Sequence, residues 1–410
     1  MASQKVYIIG GAQTDFGRNW HRQDLEIADI IKGSFDKALA NCKIDVHEIQ
    51  SAHIGNFVGE LFCGQGQLGG VLVSCYPELA GIPTARHEAA CASGSMATLA
   101  AMREIEAGHY DLVAVTGVEM MRNVDGKTAS QHLGAAAWIG HEATKAMFPW
   151  VHLFSEIKTY YQERYGIADE HLAAIAKVNY DNAQRNPNAQ TRNWTLTDDY
   201  FGQDNVHNPI VEGKLRKSDC GRVSDGSATL FLASEKFAKQ YAQRNNRPIS
   251  SIPYFKGWGH RTAPISLQEK LQISRQTAHP FPHLRGAIQD AFRRANIADV
   301  QQLDAIETHD CFTVSEYVAL EHFGITEAGK AWQAIENESI AMTGALPVNP
   351  SGGLIGMGHP VGATGVRMLL DAYKQVSDQA GDYQVGGAKN VGTLNIGGSF
   401  TTVASFVVGV

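Results

Sequence analysis

Four side chains in this sequence suit nucleophilic acyl chemistry: Cys91, His309, Cys311 and His359. Cys91 sits among small residues, Ala89-Ala90-Cys91-Ala92-Ser93-Gly94, which leave room for an acyl group beside the sulfur. The stretch 93–105 reads as a helix of small and aliphatic residues. Cys91 is therefore expected at a helix N-terminus, where the dipole lowers a thiol's pKa and favours the attacking thiolate. His359 lies in Gly358-His359-Pro360-Val361-Gly362-Ala363-Thr364-Gly365. Glycine lets backbone come close to a substrate. An imidazole titrates near neutrality, so His359 suits the base that takes the Cys91 proton. His309 and Cys311 alternate in His309-Asp310-Cys311-Phe312, directly after a strand. Side chains two apart on an extended segment face one way, so both are expected in one pocket, with Asp310 turned away to orient its neighbours. The same alternation would suit a metal, but no further ligands lie nearby in the chain, and no metal is expected.

The elements that must position these groups alternate. Val6–Ile9, Leu112–Thr116 and Ala305–Thr308 read as strands, and Ser93–Ile105 and Val314–Phe323 as helices. Such alternation predicts α/β layers around a mainly parallel sheet, with ligands at the C-terminal ends of its strands. The chain also repeats itself. Phe35, Ala38, Leu39 and Ile44 match Ile288, Ala291, Phe292 and Ile297 at one offset. After a one-residue shift, Ile49 and Ala52 match Leu303 and Ile306. Between the repeats, residues from about 122 to 250 are rich in aromatics, His, Asn and Gln. They read as an insertion packed on the first half. Ser224-Asp225-Gly226-Ser227-Ala228 returns to core strand, and residues 392–408 read as a closing hairpin split at Gly397-Gly398. Gly64-x-Gly66-x-x-Gly69 formally matches a dinucleotide fingerprint, but no clear strand leads into it.

Composition narrows the function class. The 410 residues are 44% hydrophobic and 19% charged, as in an ordinary globular enzyme. A net charge of −7 without a long basic run argues against nucleic acid or an anionic membrane as partner. Six scattered cysteines without a Cys-x-x-Cys pair argue against structural zinc and for a reducing compartment. No run reaches membrane-spanning length and no targeting segment is evident, so a cytoplasmic location is expected.

The chain resembles the thiolase superfamily, most closely its sterol-carrier-protein branch. The resemblance is carried by CASGS at Cys91, SDGSA at 224–228, HDCF at 309–312, NPSGGLIGMGHPVGATG at 349–365 and Asn395-Ile396-Gly397-Gly398. It implies a five-layered α-β-α-β-α core from two duplicated βαβαβαββ halves: residues 1–121 with 222–275, and 276–410. Residues 122–221 would be an inserted loop domain for coenzyme A and the acyl group. It implies that Cys91 becomes acylated, that His359 activates it, that Cys311 moves the α-proton, and that His309 stabilises the enolate oxygen. The N–H groups of Cys91 and Gly397 would form an oxyanion hole, and Gly358 and Asn395 would touch substrate. Ordinary thiolases carry the acid/base cysteine in a C-terminal Cys-x-Gly; here Asn395 stands in that place and the thiol is Cys311 instead.

The resemblance therefore implies a thiolase-type acyltransferase acting on coenzyme A thioesters, with no tightly bound cofactor. It also implies at least a homodimer, or a dimer of dimers. Two other readings stay open. A decarboxylating ketosynthase would use a Cys-His-His set without a proton-moving thiol, so Cys311 favours the thiolase. A subunit dependent on a small zinc-ribbon/OB-fold partner is the second.

Overall fold

The computed structural model describes residues 4–410. Its main sheet comprises β1 Tyr7–Gln13, β2 Ser51–Gly55, β3 Thr84–His87, β4 Leu112–Glu119, β5 Gly226–Ala233, β6 Tyr254–Thr262, β7 Ala305–Thr308, β8 Asn390–Gly397 and β9 Thr402–Gly409. The spatial order is β3-β2-β4-β5-β1-β6-β9-β8-β7. β1 and β6 meet at one registered pair, Tyr7 with Tyr254, so the sheet consists of two blocks hinged at that point. Around it lie α1 Ile27–Cys42, α2 Ser93–Glu106, α3 Pro149–Tyr165, α4 Asp169–Ala183, α5 Leu267–Arg275, α6 Pro282–Ala295, α7 Thr313–Phe323 and α8 Thr364–Val376.

The layers follow from the period of a strand, which sends successive side chains to opposite faces. Ile8, Val113, Val115, Leu230, Leu232, Ala404 and Phe406 turn to an inner face and meet Leu99, Met102, Val366 and Leu369 of α2 and α8. Ile9, Ala114 and Phe231 turn the other way, onto Ile30, Ile31 and Phe35 of α1. In the second block Ile306, Leu394, Val403 and Val407 turn outward onto Leu284, Ile288 and Val314 of α6 and α7. The result is the five-layered α-β-α-β-α stack, with α2 and α8 in its middle.

The sheet is mixed, against the mainly parallel one expected. β2–β3, β2–β4 and β7–β8 run parallel. β4–β5, β5–β1, β1–β6, β6–β9 and β9–β8 run antiparallel. β8 and β9 need only a turn between them, and antiparallel pairing is what a turn permits. β6 falls within the 222–275 stretch expected in the N-terminal half, yet its ladder runs with β9 of the second block.

The repeat is visible down to its caps. α1 and α6 both end on left-handed residues, Lys43 and Asn296. Each is followed by a turn with a capping box, Asp45 with Glu48 and Asp299 with Gln302, and then by β2 or β7. The one-residue shift lies at Ala298, between cap and box.

The insertion packs on both halves: Ala129, Leu133 and Ala136 meet Phe57 and Phe62 of the first, as expected, but its two long helices pack on the second. Leu153, Phe154, Ile157 and Tyr161 of α3, with Leu172 and Ile175 of α4, share a core with Val314, Tyr317 and Phe400. The reason is α7, every residue of which is buried. A helix with no solvent face needs a cover on all sides. The Gly64–Gly69 pattern joins the short helices Gly59–Cys63 and Leu68–Cys75 with no strand feeding it, so it is not a dinucleotide loop. Among the described residues no helix is long and apolar enough to cross a membrane.

Candidate active site

Cys91 lies in a single 3-10 turn, Ala90–Ala92, directly ahead of α2. Ser93 holds that turn: its Oγ accepts from Ala89 N at 3.0 Å and donates to Ala90 O at 2.6 Å. Gly397 comes so close that a Cβ there would sit 2.1 Å from Ala89 O. The thiol keeps some exposure through the cavity mouth, but protein surrounds its sulfur. Burial, and then the Glu119 carboxylate, push its pKa up to about 12. The expected lowering at a helix start is thus overturned: desolvation outweighs the N–H donors of Cys91 and Gly398 that favour the thiolate. In the β8–β9 turn, the N–H that favours the Cys91 thiolate is that of Gly398, next to the Gly397 expected in the oxyanion hole.

His359 is prepared as a base by its neighbours. Its Nδ1 lies 2.7 Å from Thr364 Oγ1. That hydroxyl donates to Pro360 O at 3.0 Å, so it can only accept from the ring. Nδ1 therefore carries the proton, and Nε2 keeps its lone pair. Nε2 is buried without a hydrogen-bond partner among the described residues. Burial, and then Arg367, lower the His359 pKa to about 3, so the ring is neutral at pH 7. Ser224 of the SDGSA motif accepts from His359 N at 2.8 Å and is itself held by Gln190 Oε1 at 2.7 Å. Gly358 (φ +110°) packs against Ser224 and Phe16 and does not line the cavity. Its contribution is the backbone conformation that aims the next residue.

His309 is prepared the opposite way. Asn395 Nδ2 donates to Cys91 O at 3.1 Å and faces His309 Nδ1 at 3.2 Å. Its Oδ1 accepts from Ser95 Oγ at 2.8 Å. The Cys91 carbonyl fixes which end of the amide faces inward, so His309 Nδ1 accepts and Nε2 carries the proton. One imidazole thus presents a lone pair and the other an N–H, with rings 5.3 Å apart and nearly perpendicular. Burial, then His359, hold His309 well below its usual pKa. Asn395 reaches no cavity surface, contrary to the expected substrate contact.

Cys311 lines the same cavity as Cys91 and His359. Its sulfur is 3.9 Å from Ser315 Oγ, and burial, then Cys91, hold its thiol well above the usual range. Asp310 turns away as expected. It accepts from Leu354 N, from Ile355 N at 3.2 Å and from Asn179 Nδ2 at 2.8 Å, fixing the 353–355 loop.

Sequence reasoning missed Thr364, Gln190 and Glu119. Glu119 is fully buried and raised by that burial to about 7. It accepts from Asn56 Nδ2 at 2.8 Å and Phe57 N at 2.9 Å on one half, and from Gly362 N at 3.1 Å on the other. A lone carboxylate ending the apolar run of β4 was the signal. Cys91 Sγ and one nitrogen each of His309 and His359 lie within 4.8 Å of one another. A borderline cation such as zinc could occupy that set, although no metal was expected there. The cavity beside Cys91 holds about 100 Å³ and is walled by Phe57, Met121, Leu133, Trp150, Phe154 and Phe312.

The neutral thiol makes a testable difference. Only thiolate reacts with iodoacetamide, and a pKa raised to about 12 leaves that fraction growing tenfold per pH unit. Alkylation of Cys91 is expected to climb steadily through pH 9. A plateau reached by pH 7 would instead reveal a thiolate–imidazolium pair.

Comparison with known families places this geometry. Residues 6–236 match the thiolase N-terminal domain, and residues 266–410 match the thiolase C-terminal domain-like family. The chain belongs to the thiolase family. This thiolase is 31% identical to an acetyl-CoA acetyltransferase of Methanothermobacter thermautotrophicus, over 97% of this chain and 98% of that one. It is 27% identical to sterol carrier protein 2 of Gallus gallus, over 99% of this chain and 72% of that one. Among solved structures, an Ltp2–ChsH2(DUF35) aldolase superposes with a TM-score of 0.78 at 17% identity, covering 99% of this chain and 97% of that one. Human mitochondrial 3-ketoacyl-CoA thiolase superposes with a TM-score of 0.70 at 15% identity, covering 100% of each. Those two likenesses concern the fold.

Proposed function

We propose that this thiolase is an acyl-CoA C-acyltransferase that makes or cleaves a 3-ketoacyl-CoA through an acyl group on Cys91. The observation that carries this reading is the pair of opposed tautomers beside Cys91, with a second thiol, Cys311, lining the same cavity as Cys91 and His359. As Cys91 Sγ attacks the thioester carbonyl carbon, the thiol proton passes to His359 Nε2, and the N–H groups of Cys91 and Gly398 would face the developing oxyanion. Collapse of the adduct breaks the bond to the CoA sulfur, and His359 returns the proton to the departing CoA thiolate. Donors so placed typically supply about 3–4 kcal/mol each. His309 Nε2–H would meet the enolate oxygen of the second thioester, and Cys311 would exchange the α-proton. A decarboxylating ketosynthase has no use for that second thiol.

Incubation with acetyl-CoA and other acyl-CoAs, quenching and peptide mass spectrometry test the reading directly. An acyl group on Cys91 is expected. A folded protein left unmodified by every donor would overturn it.

Residues 122–221 would form the loop domain that holds coenzyme A. The cavity walls they contribute set the acyl group. Trp150 is fixed there by its Nε1, which donates to Leu133 O at 2.6 Å, and Phe154 stacks on Phe312 at 4.4 Å. A dry cavity somewhat larger than this one holds a benzene ring, so the tail should number about four to six carbons. Trp150→Ala should raise kcat/KM for decanoyl-CoA relative to butanoyl-CoA by about tenfold. An unchanged ratio would put the chain end elsewhere. The half-buried edge strand β3 supports pairing with a second copy. The DUF35 partner of the aldolase neighbour supports testing a small zinc-ribbon/OB-fold partner here. A cytoplasmic location fits the reducing conditions that free thiols need.

A further inference from the structure

Lys270 is among the least expected groups in the molecule. It projects from α5, is 3% exposed, and directs its ammonium at three neutral oxygens. These are Ile265 O at 3.0 Å, Ser399 Oγ at 2.8 Å and Thr401 Oγ1 at 2.8 Å. Lysine is almost never buried this deeply without a purpose that repays its desolvation. Burial lowers its pKa to about 7, against the opposing pull of Glu142 and Glu269.

Two of those oxygens belong to the turn between β8 and β9. That turn is strained: Gly398 has φ +65° and Phe400, which carries a Cβ, has φ +62°. It closes through Thr401 N to Gly397 O and Phe400 N to Gly398 O, both 3.0 Å. On one side Gly398 lines the acyl cavity with its N–H toward Cys91 Sγ. On the other side Ser399 and Thr401 turn to Lys270. Phe400 is wedged between Phe281 (4.5 Å) and Phe154 (5.9 Å).

We propose that Lys270 is a positioning residue for acyl transfer: its ammonium clamps Ser399 and Thr401 and so holds the Gly398 N–H where the oxyanion forms. This rests on the acyl-enzyme reading above. Lys270 touches no reacting atom. It acts by fixing a strained turn whose displacement by about 1 Å would cost up to about 100-fold in rate.

The test uses two reactions of the same thiol. Iodoacetamide alkylation needs the thiolate but no oxyanion hole; acylation by an acyl-CoA needs both. In Lys270→Met, acylation of Cys91 under single-turnover conditions should slow about 10- to 100-fold, with alkylation slowed far less, since Gly398 is only one of the donors that favour the thiolate, and the acyl-CoA KM little changed. Thr401→Val removes one acceptor and keeps the lysine, and should slow acylation in the same selective way, by a smaller factor. It also serves if Lys270→Met does not fold. Equal slowing of both reactions would reduce Lys270 to a general structural role and overturn the proposal. So would acylation at the normal rate in folded variants. Failure of the unaltered protein to acylate at all would instead sink the acyl-enzyme reading.

Discussion

Cys311→Ala is expected to abolish 3-ketoacyl-CoA cleavage and synthesis while leaving Cys91 acylation by an acyl-CoA nearly intact. The reason is a division of labour between the two thiols. Acylation needs Cys91, the Nε2 lone pair of His359 and the oxyanion donors, none of which touches Cys311 through a hydrogen bond. Carbon–carbon cleavage also needs a proton for the departing α-carbon. Burial keeps Cys311 protonated at neutral pH, which makes it an acid. With Cys91 protonated, His359 neutral and His309 bearing Nε2–H, the resting site already holds each proton where thiolysis begins. Loss of a positioned general acid typically costs about 10²–10⁴-fold, so kcat for thiolysis should fall by about 10³-fold. Single-turnover acylation and steady-state thiolysis, measured on the same preparation, separate the two steps. Thiolysis within a few-fold of normal would remove Cys311 from the reaction.

Asn395→Asp should be almost as damaging, although the residue does not line the cavity. The amide donates to His309 Nδ1 and to Cys91 O. A carboxylate can only accept. It would draw the ring proton to Nδ1, turn a lone pair toward the enolate oxygen, and face the Cys91 carbonyl with like charge. Loss of one oxyanion donor costs about 10²–10³-fold in kcat, and a fall in that range is expected. Asn395→Gln, which keeps a donor, should recover part of it. Cys91 acylation should fall far less than condensation, since His309 serves the second substrate. Equal loss of both would mean that Asn395 mainly supports the Cys91 turn. An ordinary thiolase uses this position for proton transfer. Here it sets a tautomer.

Much of this was legible in the chain. The four chemical residues were marked by their type and by small or glycine neighbours; Cys91, Cys311 and His359 line one cavity, and His309 lies buried directly behind it. The strands that deliver them were marked by period, and the repeat by matched spacing. What escaped was of two kinds. The mixed sheet depends on how β5 and β6 re-enter after an insertion, and nothing local in a strand records its neighbour's direction. The protonation of Cys91 depends on burial from several elements at once, so the helix dipole was the wrong term to follow. Gln190 and Glu119 act through hydrogen bonds to groups distant in sequence, and Thr364, though only five residues from His359, has a type that does not announce a ring as its partner.

The single pair that joins β1 to β6 looks like a weak seam, yet it is not where the protein should part. α8 lies between the blocks and shares one dry interior with strands of both, through Val366, Leu369 and Leu370. Separating the blocks would wet the inner face of each at once. The seam can therefore flex without becoming a folding boundary, and both halves should melt in one cooperative transition. Cys91 and His359 come from opposite sides of that seam, so the enzyme should lose activity and structure together, with no active half surviving the other.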